Sequence, residues 1–478
     1  MLERNLFANL SPLDHRYYLS NREVFERLSS HLSENGSVVY LVRVEAALLE
    51  TVLEELGLWS PSHAKRIAQL ETLVTPEAVA REEEKTQHNI RALVHVIKQH
   101  LPEEIAQYVH VGATSVDILD TANALKIRGA VRDVLIPELL QLQEQLIRIT
   151  REQADTVQVG RTHGQYAVPI TFGYAIAEYV SRLGKAIEKI EICSQGLMGK
   201  IAGAVGAYNA ISMVSKNPQE FERRVLARLA IEPSEHSTQM VEPEYLTRLI
   251  MEINIAFGVI ANLADDLRNL QRSEIDEVRE HFGQSQVGSS TMPQKRNPWN
   301  SEHVKSLWKA FAPRVMTVFM DQISEHQRDL TNSASGRFIV DYLAGFTAAV
   351  CRMRKVVTGI AVNMAGIERN LNAAGDSLLA EPAYILLALG GVNHAHEVIR
   401  QATLRTQESG ETLAKVLQED SESWAIIASR LQGLGIDAEE FFADPRLYTG
   451  RAGEKAREIA ERHAGLCGIV RERLQSGL

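Results

Sequence analysis

The chain has 478 residues, 45% of them hydrophobic and 23% charged, an ordinary composition for a soluble globular protein of about three domains. Its formal net charge is −10 and its sequence pI about 5.9, so the global field repels nucleic acid and anionic membrane surfaces, and an anionic substrate must meet a local cationic pocket. The three cysteines, Cys193, Cys351 and Cys467, are odd in number and widely spaced, with no metal-type pairing, which fits a reducing compartment and predicts core thiols.

No apolar run approaches the ~18 residues of a membrane span. Glu3, Arg4 and Asn5 stand where a signal peptide would need an apolar stretch. The expectation is a cytoplasmic protein with no membrane partner. Prolines are sparse enough to leave long uninterrupted stretches, the longest from 314 to 381. Helical periodicity begins at Leu139–Ile149 and continues through Val180–Leu197. It is clearest where Leu246, Leu249, Ile253, Phe257, Ile260, Leu263, Leu267 and Leu270 recur at strides of 3 and 4, and it returns over Phe338–Ile360. Convincing period-2 strands are scarce, so the fold class is all-α. Helices this long must bury their stripes against one another, which predicts a bundle and subunit association.

Between these helices lie polar stretches with chemistry in them. In Val111-Gly112-Ala113-Thr114-Ser115-Val116-Asp117, Thr114 or Ser115 reads as a helix N-cap with Asp117 in the first turn. Gly160-Arg161-Thr162-His163-Gly164-Gln165 precedes Pro169 and a helical pattern, placing His163 on a loop or helix start, as a structural hydrogen-bonder or as a proton carrier at neutral pH. Gly199-Lys200-Ile201-Ala202-Gly203 lacks the Ser/Thr after Gly-Lys that a phosphate loop requires. Residues 288–302 form a polar loop able to move, with Gly283, Gly288, Pro293 and Pro298 in or beside it. Gln327-Arg328-Asp329-Leu330-Thr331-Asn332-Ser333-Ala334-Ser335-Gly336-Arg337 offers two arginines and a serine suited to clamping a phosphate. His394 and His396 fall on different helix faces and make no metal site with Glu397, Asn393 reading better as an N-cap.

The loop Gly288-Ser289-Ser290-Thr291-Met292-Pro293-Gln294-Lys295-Arg296-Asn297-Pro298-Trp299-Asn300-Ser301-Glu302 matches Gly-Ser-Ser-x-Met-Pro-x-Lys-x-Asn-Pro-x-x-x-Glu, and on that string the chain resembles the fumarase/aspartase superfamily. The resemblance implies a three-domain, all-α fold with a central long-helix bundle. Its expected units are an N-terminal helical domain over 1–111, a central domain over 112–366 carrying the loop, and a C-terminal helical domain over 367–478.

It also implies catalytic roles. Ser289 is the expected base, Lys295 a cation beside it, His163 of the Thr-His-x-Gln motif the proton donor, and Glu302 the carboxylate that orients that histidine. His88, in Lys85-Thr86-Gln87-His88-Asn89-Ile90, is a second catalytic candidate. That stretch resembles a Thr-x-His-Asp motif, with Asn89 in place of the usual aspartate.

Three stretches resemble the branch of the superfamily that releases fumarate from succinylated purine nucleotides, both a succinylated AMP and a succinylated aminoimidazole carboxamide ribotide. They are Ser11-Pro12-Leu13-Asp14-His15-Arg16-Tyr17, with His15 where that branch has glycine, Ser237-Thr238-Gln239, and the 327–337 clamp. The substrate contacts so implied are Arg16, Tyr17, Gln87, His88, Asn89, Thr114, Ser115, Gln239, Lys295, Asn297, Arg328, Ser333 and Arg337. The resemblance implies a carbon-nitrogen lyase with a small nucleotide substrate, no cofactor and no metal, working as a homotetramer whose sites are shared between subunits. A lyase for another N-succinyl compound, or a non-catalytic structural relative, are the alternatives.

Overall fold

Uninterrupted stretches of good helix formers carrying apolar residues at strides of 3 and 4 become long helices here. The computed structural model describes residues 5–476. Its main helices are α1 (Glu34–Glu55), α2 (Ser115–Ala130), α3 (Ile136–Glu152), α4 (Phe172–Gln195), α5 (Glu244–Leu270), α6 (Trp299–Phe311), α7 (Ile339–Gly359) and α8 (Ala452–Ser476). Helices α2 and α3 run on through one π-type stretch, Val131–Leu135. Pro137 explains it, because its ring cannot donate a helical N–H and crowds the preceding turn.

The stripe expected over 246–270 lies on α5. Leu249, Ile253, Phe257, Ile260, Leu263 and Leu267 are each at most 3% exposed, and Leu246 and Leu270 pack partly buried at its ends. Each full burial stabilises by about 1.5–3 kcal/mol, so this face alone fixes α5 in the bundle. Phe257 meets Phe346 of α7 edge to face at 5.0 Å. By length and composition α5 is also apolar enough to cross a membrane, with mean hydropathy 1.4 over its best 18 residues, contrary to the expectation that no run comes near. More than half of that window is buried inside the chain, as in the core helix of a bundle.

One continuous core joins Leu13 to Val470 and does not break at 111. A second core, with Leu379, Leu387, Leu413, Ile427 and Phe441 at its centre, is built by Ala380–Leu389, Ala395–Ser409, Leu413–Glu419, Ser421–Gly433 and Ala438–Ala443. The terminal helix α8 does not join it. Ala460, Cys467 and Val470 belong to the main core, and Arg473 pairs with buried Glu191 of α4 at 3.0 Å. The C-terminal domain expected over 367–478 therefore loses 452–476 to the central bundle. His394, at φ +61°, is the N-cap of Ala395–Ser409, where Asn393 was expected, and Glu397 is paired with Arg400.

The main departure from helix is a hairpin. Strands β1 (Val157–Thr162) and β2 (Gln165–Thr171) pair antiparallel from Val157↔Thr171 to Thr162↔Gln165, with a bulge between Val159 and Arg161. His163 and Gly164 make the two-residue turn at φ +55° and +73°, the left-handed pair a type I′ turn requires. The first strand of the hairpin is held by Glu277, which is fully buried. Its carboxylate accepts from Arg161 Nη2 at 2.7 Å and Nη1 at 3.2 Å, from Gln158 Nε2 at 3.3 Å and from Asn370 Nδ2 at 2.7 Å.

Candidate active site

The N-terminus of α2 forms one wall. Thr114 is its N-cap, and the Thr114 N–H donates to Asp117 Oδ2 at 2.8 Å. Asp117 and Lys200 are both fully buried and ion-paired, and Asp117 Oδ1 also accepts from the N–H groups of Ala202 at 3.1 Å and Gly203 at 3.2 Å. The Gly-Lys string thus serves as the buried counter-ion of the cap, which leaves the Ser115 hydroxyl facing outward beside the free N–H groups of the first turn.

His88 is brought to this wall. It caps the helix Asn89–Gln99 through Nδ1, which accepts from the Arg91 N–H at 3.2 Å, and its Nε2 lies 3.5 Å from Ser115 Oγ. With Nδ1 acting as acceptor, the neutral ring carries its proton on Nε2, aimed at the space in front of Ser115. Gln87 precedes it at φ +53°, while the Asn89 side chain accepts from the N–H of Ile90, at 2.8 Å.

Asp120, one turn along α2, accepts from the Val241 N–H at 2.9 Å and so ties the Gln239 segment to the same wall. Burial raises Asp120 to about 6, with that N–H and the charges of Lys200 and Arg328 opposing. Gly206 makes the approach possible: at φ +74° a β-carbon there would fall 1.8 Å from the Ser237 carbonyl oxygen. The Gln239 N–H in turn donates to the Gln327 carbonyl at 3.2 Å, which joins the clamp segment to the wall.

In the clamp Arg328 bonds its own chain. The residue sits at φ +82°, and its Nη1 and Nη2 donate to the chain's own carbonyls of Gln322 at 3.0 Å and Asp321 at 2.9 Å. Two donors meant for a phosphate are thus holding the loop in shape. Arg337 and Ser333 are exposed, and their side chains have no hydrogen-bond partner among the described residues.

The 283–298 loop has its own internal scaffold. Ser289 Oγ accepts two backbone N–H bonds, from Met292 at 3.1 Å and Thr291 at 3.4 Å. These are fixed dipoles of the kind that lower the cost of an alkoxide, in addition to the cation expected at Lys295. Asn297, expected to hold substrate, donates through Nδ2 to the Gly288 carbonyl at 2.9 Å and closes the base of the loop. Lys295 is exposed with no carboxylate partner among the described residues.

Glu280 caps α6, accepting from the N–H groups of Asn300 at 3.3 Å and Ser301 at 2.9 Å. The first turn of α6 then presents Glu302 and His303. His303, which no quoted motif included, lies 2.9 Å from the Tyr17 hydroxyl. Burial, Arg352 and Arg16 hold its pKa below the ordinary imidazole value.

His163 and Glu302 do not meet within one chain. Both are exposed, and their side chains have no hydrogen-bond partner among the described residues. A cleft of about 710 Å³ beside Arg43, Arg128 and Arg132 is lined by none of the expected site residues. The chain thus carries a carboxylate wall, a serine loop and a separate histidine arm.

Comparison with known proteins fits this arrangement. A lyase family matches residues 17–312, more than half of the chain, so the chain is a lyase, and its fold is that of the fumarase/aspartase superfamily. The crystal structure of the 3-carboxy-cis,cis-muconate lactonizing enzyme from Pseudomonas putida superposes with a TM-score of 0.78 at 24% identity, covering 96% of this chain and 100% of that one. Residues 324–437 match the C-terminal region of adenylosuccinate lyases. Adenylosuccinate lyase of Pyrococcus horikoshii is 32% identical over 456 residues, 94% of this chain and 97% of its own length. The chain belongs to the adenylosuccinate lyase family. N-acetyl-S-(2-succino)cysteine lyase of Enterococcus italicus is 28% identical, over 89% of this chain and 92% of its own.

Proposed function

We propose that this chain cleaves adenylosuccinate to AMP and fumarate, and the corresponding succinylated carboxamide ribotide to the carboxamide ribotide and fumarate. The observation that carries the reading is the Ser289 hydroxyl oxygen held by two backbone N–H groups on a loop closed by Asn297. Ser289 takes a proton from the succinyl carbon beside a carboxylate, and the charge moves into that carboxylate as an aci-carboxylate. The C–N bond then breaks, its electrons going to the nitrogen, which takes a proton from His163, while the carbanion pair becomes the fumarate double bond. Thr114, Ser115, Gln239 and the His88 Nε2 proton hold the succinyl carboxylates, and Lys295 stabilises the developing charge. Arg16, Tyr17, Ser333 and Arg337 receive the phosphate.

The exposure of His163, Glu302 and Lys295 in the single chain supports a homotetramer in which one subunit's His163 serves another's Ser289, with Glu302 as its orienter. The free cysteines and the nucleotide substrate support a cytoplasmic setting. A second reading is favoured by Arg328, whose guanidinium bonds its own chain: a lyase for a succinyl compound without a phosphate. Loss of adenylosuccinate absorbance with the purified protein, run beside N-acetyl-S-(2-succino)cysteine, decides between them. Turnover of the second compound alone overturns the first reading. Mixing Ser289→Ala with His163→Ala subunits should restore activity, and mixed tetramers that stay dead would refute the shared site.

A further inference from the structure

Helix α7 places Arg352 beside the first turn of α6. Its guanidinium lies 5.1 Å over the Trp299 ring, and Nη1 donates to Asn300 Oδ1 at 2.8 Å. Nε and Nη2 have no partner among the described residues. Two residues along the same helix, Arg354 meets buried Glu138 at 3.1 Å, the usual fate of a half-buried arginine.

Among the described residues Arg352 has no such carboxylate within 4 Å, and neither has Arg16, whose charge acts on it. The nearest acidic influence is Glu280, whose two oxygens already accept from Asn300 N and Nδ2 and from Ser301 N and Oγ. Burial, opposed in part by the Tyr17 ring, and the Arg16 charge lower the Arg352 pKa. The Tyr17 hydroxyl and His303 complete the cluster, and His303 is held toward its neutral form. Two guanidiniums whose charges act on one another, with unused donors and no carboxylate partner among the described residues, form a site that a dianion stabilises and a neutral ring system does not.

We propose that Arg352 binds substrate, forming with Arg16, Tyr17 and His303 the subsite for the nucleotide's phosphate. This rests on the reading of the chain as a nucleotide lyase, and it adds a forked cation to that site. Arg352 turns its unused Nε and Nη2 edge to two phosphate oxygens, Arg16 adds charge from the open side, and Tyr17 donates its hydroxyl. The succinyl carboxylates remain on the separate wall of Thr114, Ser115 and His88.

The test is Arg352→Gln in the full-length assembled protein, titrated calorimetrically with AMP, orthophosphate and fumarate. AMP and orthophosphate should weaken by about 10- to 100-fold while fumarate stays within about twofold, and KM should rise with kcat little changed. By NMR, the His303 titration should move up once the neighbouring charge is gone. Arg352→Lys keeps the charge but not the fork, should fall between, and carries the test if the glutamine variant melts early. Unchanged AMP affinity, or equal losses for AMP and fumarate, overturns the assignment. Wild-type turnover is read separately: Arg352-dependent orthophosphate binding without adenylosuccinate cleavage would keep the subsite and sink the reaction.

Discussion

The Asp117–Lys200 pair makes the sharpest demand on the fold. Both side chains are fully buried, and removing one partner of such a pair costs about 3–5 kcal/mol because the other charge is left uncompensated. The two ends are not equivalent. In Lys200→Met, Asp117 keeps the N–H groups of Thr114, Ala202 and Gly203, so the loss falls near the lower end, about 3 kcal/mol. In Asp117→Ala, Lys200 keeps the Gly203 carbonyl at 3.1 Å, and the buried N–H groups of Ala202 and Gly203 and the half-buried one of Thr114 lose their acceptor, so the loss reaches about 5 kcal/mol. A chain with two cores does not unfold in one step, so the comparison uses the order of the midpoints in urea, followed by circular dichroism. Substrate KM should rise in Lys200→Met, because Thr114 and Ser115 are set by the same cap. An Asp117→Ala midpoint no lower than that of Lys200→Met would refute the reasoning, as would a Lys200→Met protein indistinguishable from wild type.

Gly288→Ala would put a β-carbon 2.0 Å from the Lys295 carbonyl oxygen, so the loop cannot keep its closed base; kcat should collapse while AMP affinity and melting temperature hold, and an active variant would show that the base of the loop opens freely. Arg337→Ala should weaken AMP binding by about 1.5–3 kcal/mol, whereas Arg328→Ala should chiefly loosen the 321–337 loop, seen as faster amide exchange; the reverse pattern would restore Arg328 to the phosphate. Asp120, raised from 3.8 to about 6, binds a proton more tightly in the folded chain than in the unfolded one, so its contribution to stability is full below about pH 4 and is lost as pH rises through about 6. The melting temperature of Asp120→Asn should lack that fall, and parallel curves for variant and wild type would rule it out.

The long helices were legible because each buried face repeats at 3 to 4 residues, as in α5, and repetition survives without any knowledge of neighbours. The hairpin was not, since a bulge at Gly160 breaks the alternation of β1 and Pro169 interrupts β2, so His163 read as a loop or helix start. The wall was half legible: the Thr114 cap is a local signal, but its counter-ion Lys200 lies 83 residues away. Pairings at that distance leave no trace in a single sequence. His303 stands one residue beyond the signature string and Arg352 lies in a helix that reads as core, so both went unnoticed until α6 and α7 met. The backbone contacts of Arg328 were not legible for a different reason, because a guanidinium suits a backbone carbonyl as well as it suits a phosphate.

The hairpin that carries His163 has a mechanical consequence. Its six-residue first strand spans roughly 20 Å, and Glu277 clamps it at Gln158 and again at Arg161, so it behaves as a stiff arm rather than a tether. Under the shared-site reading, a rotation of about 5° between subunits swings the imidazole by nearly 2 Å, enough to cost about a hundredfold in rate. The catalytic distance is then a readout of quaternary angle. Substitutions at the remote faces where subunits meet would tune turnover by leverage, without touching a single group that contacts substrate.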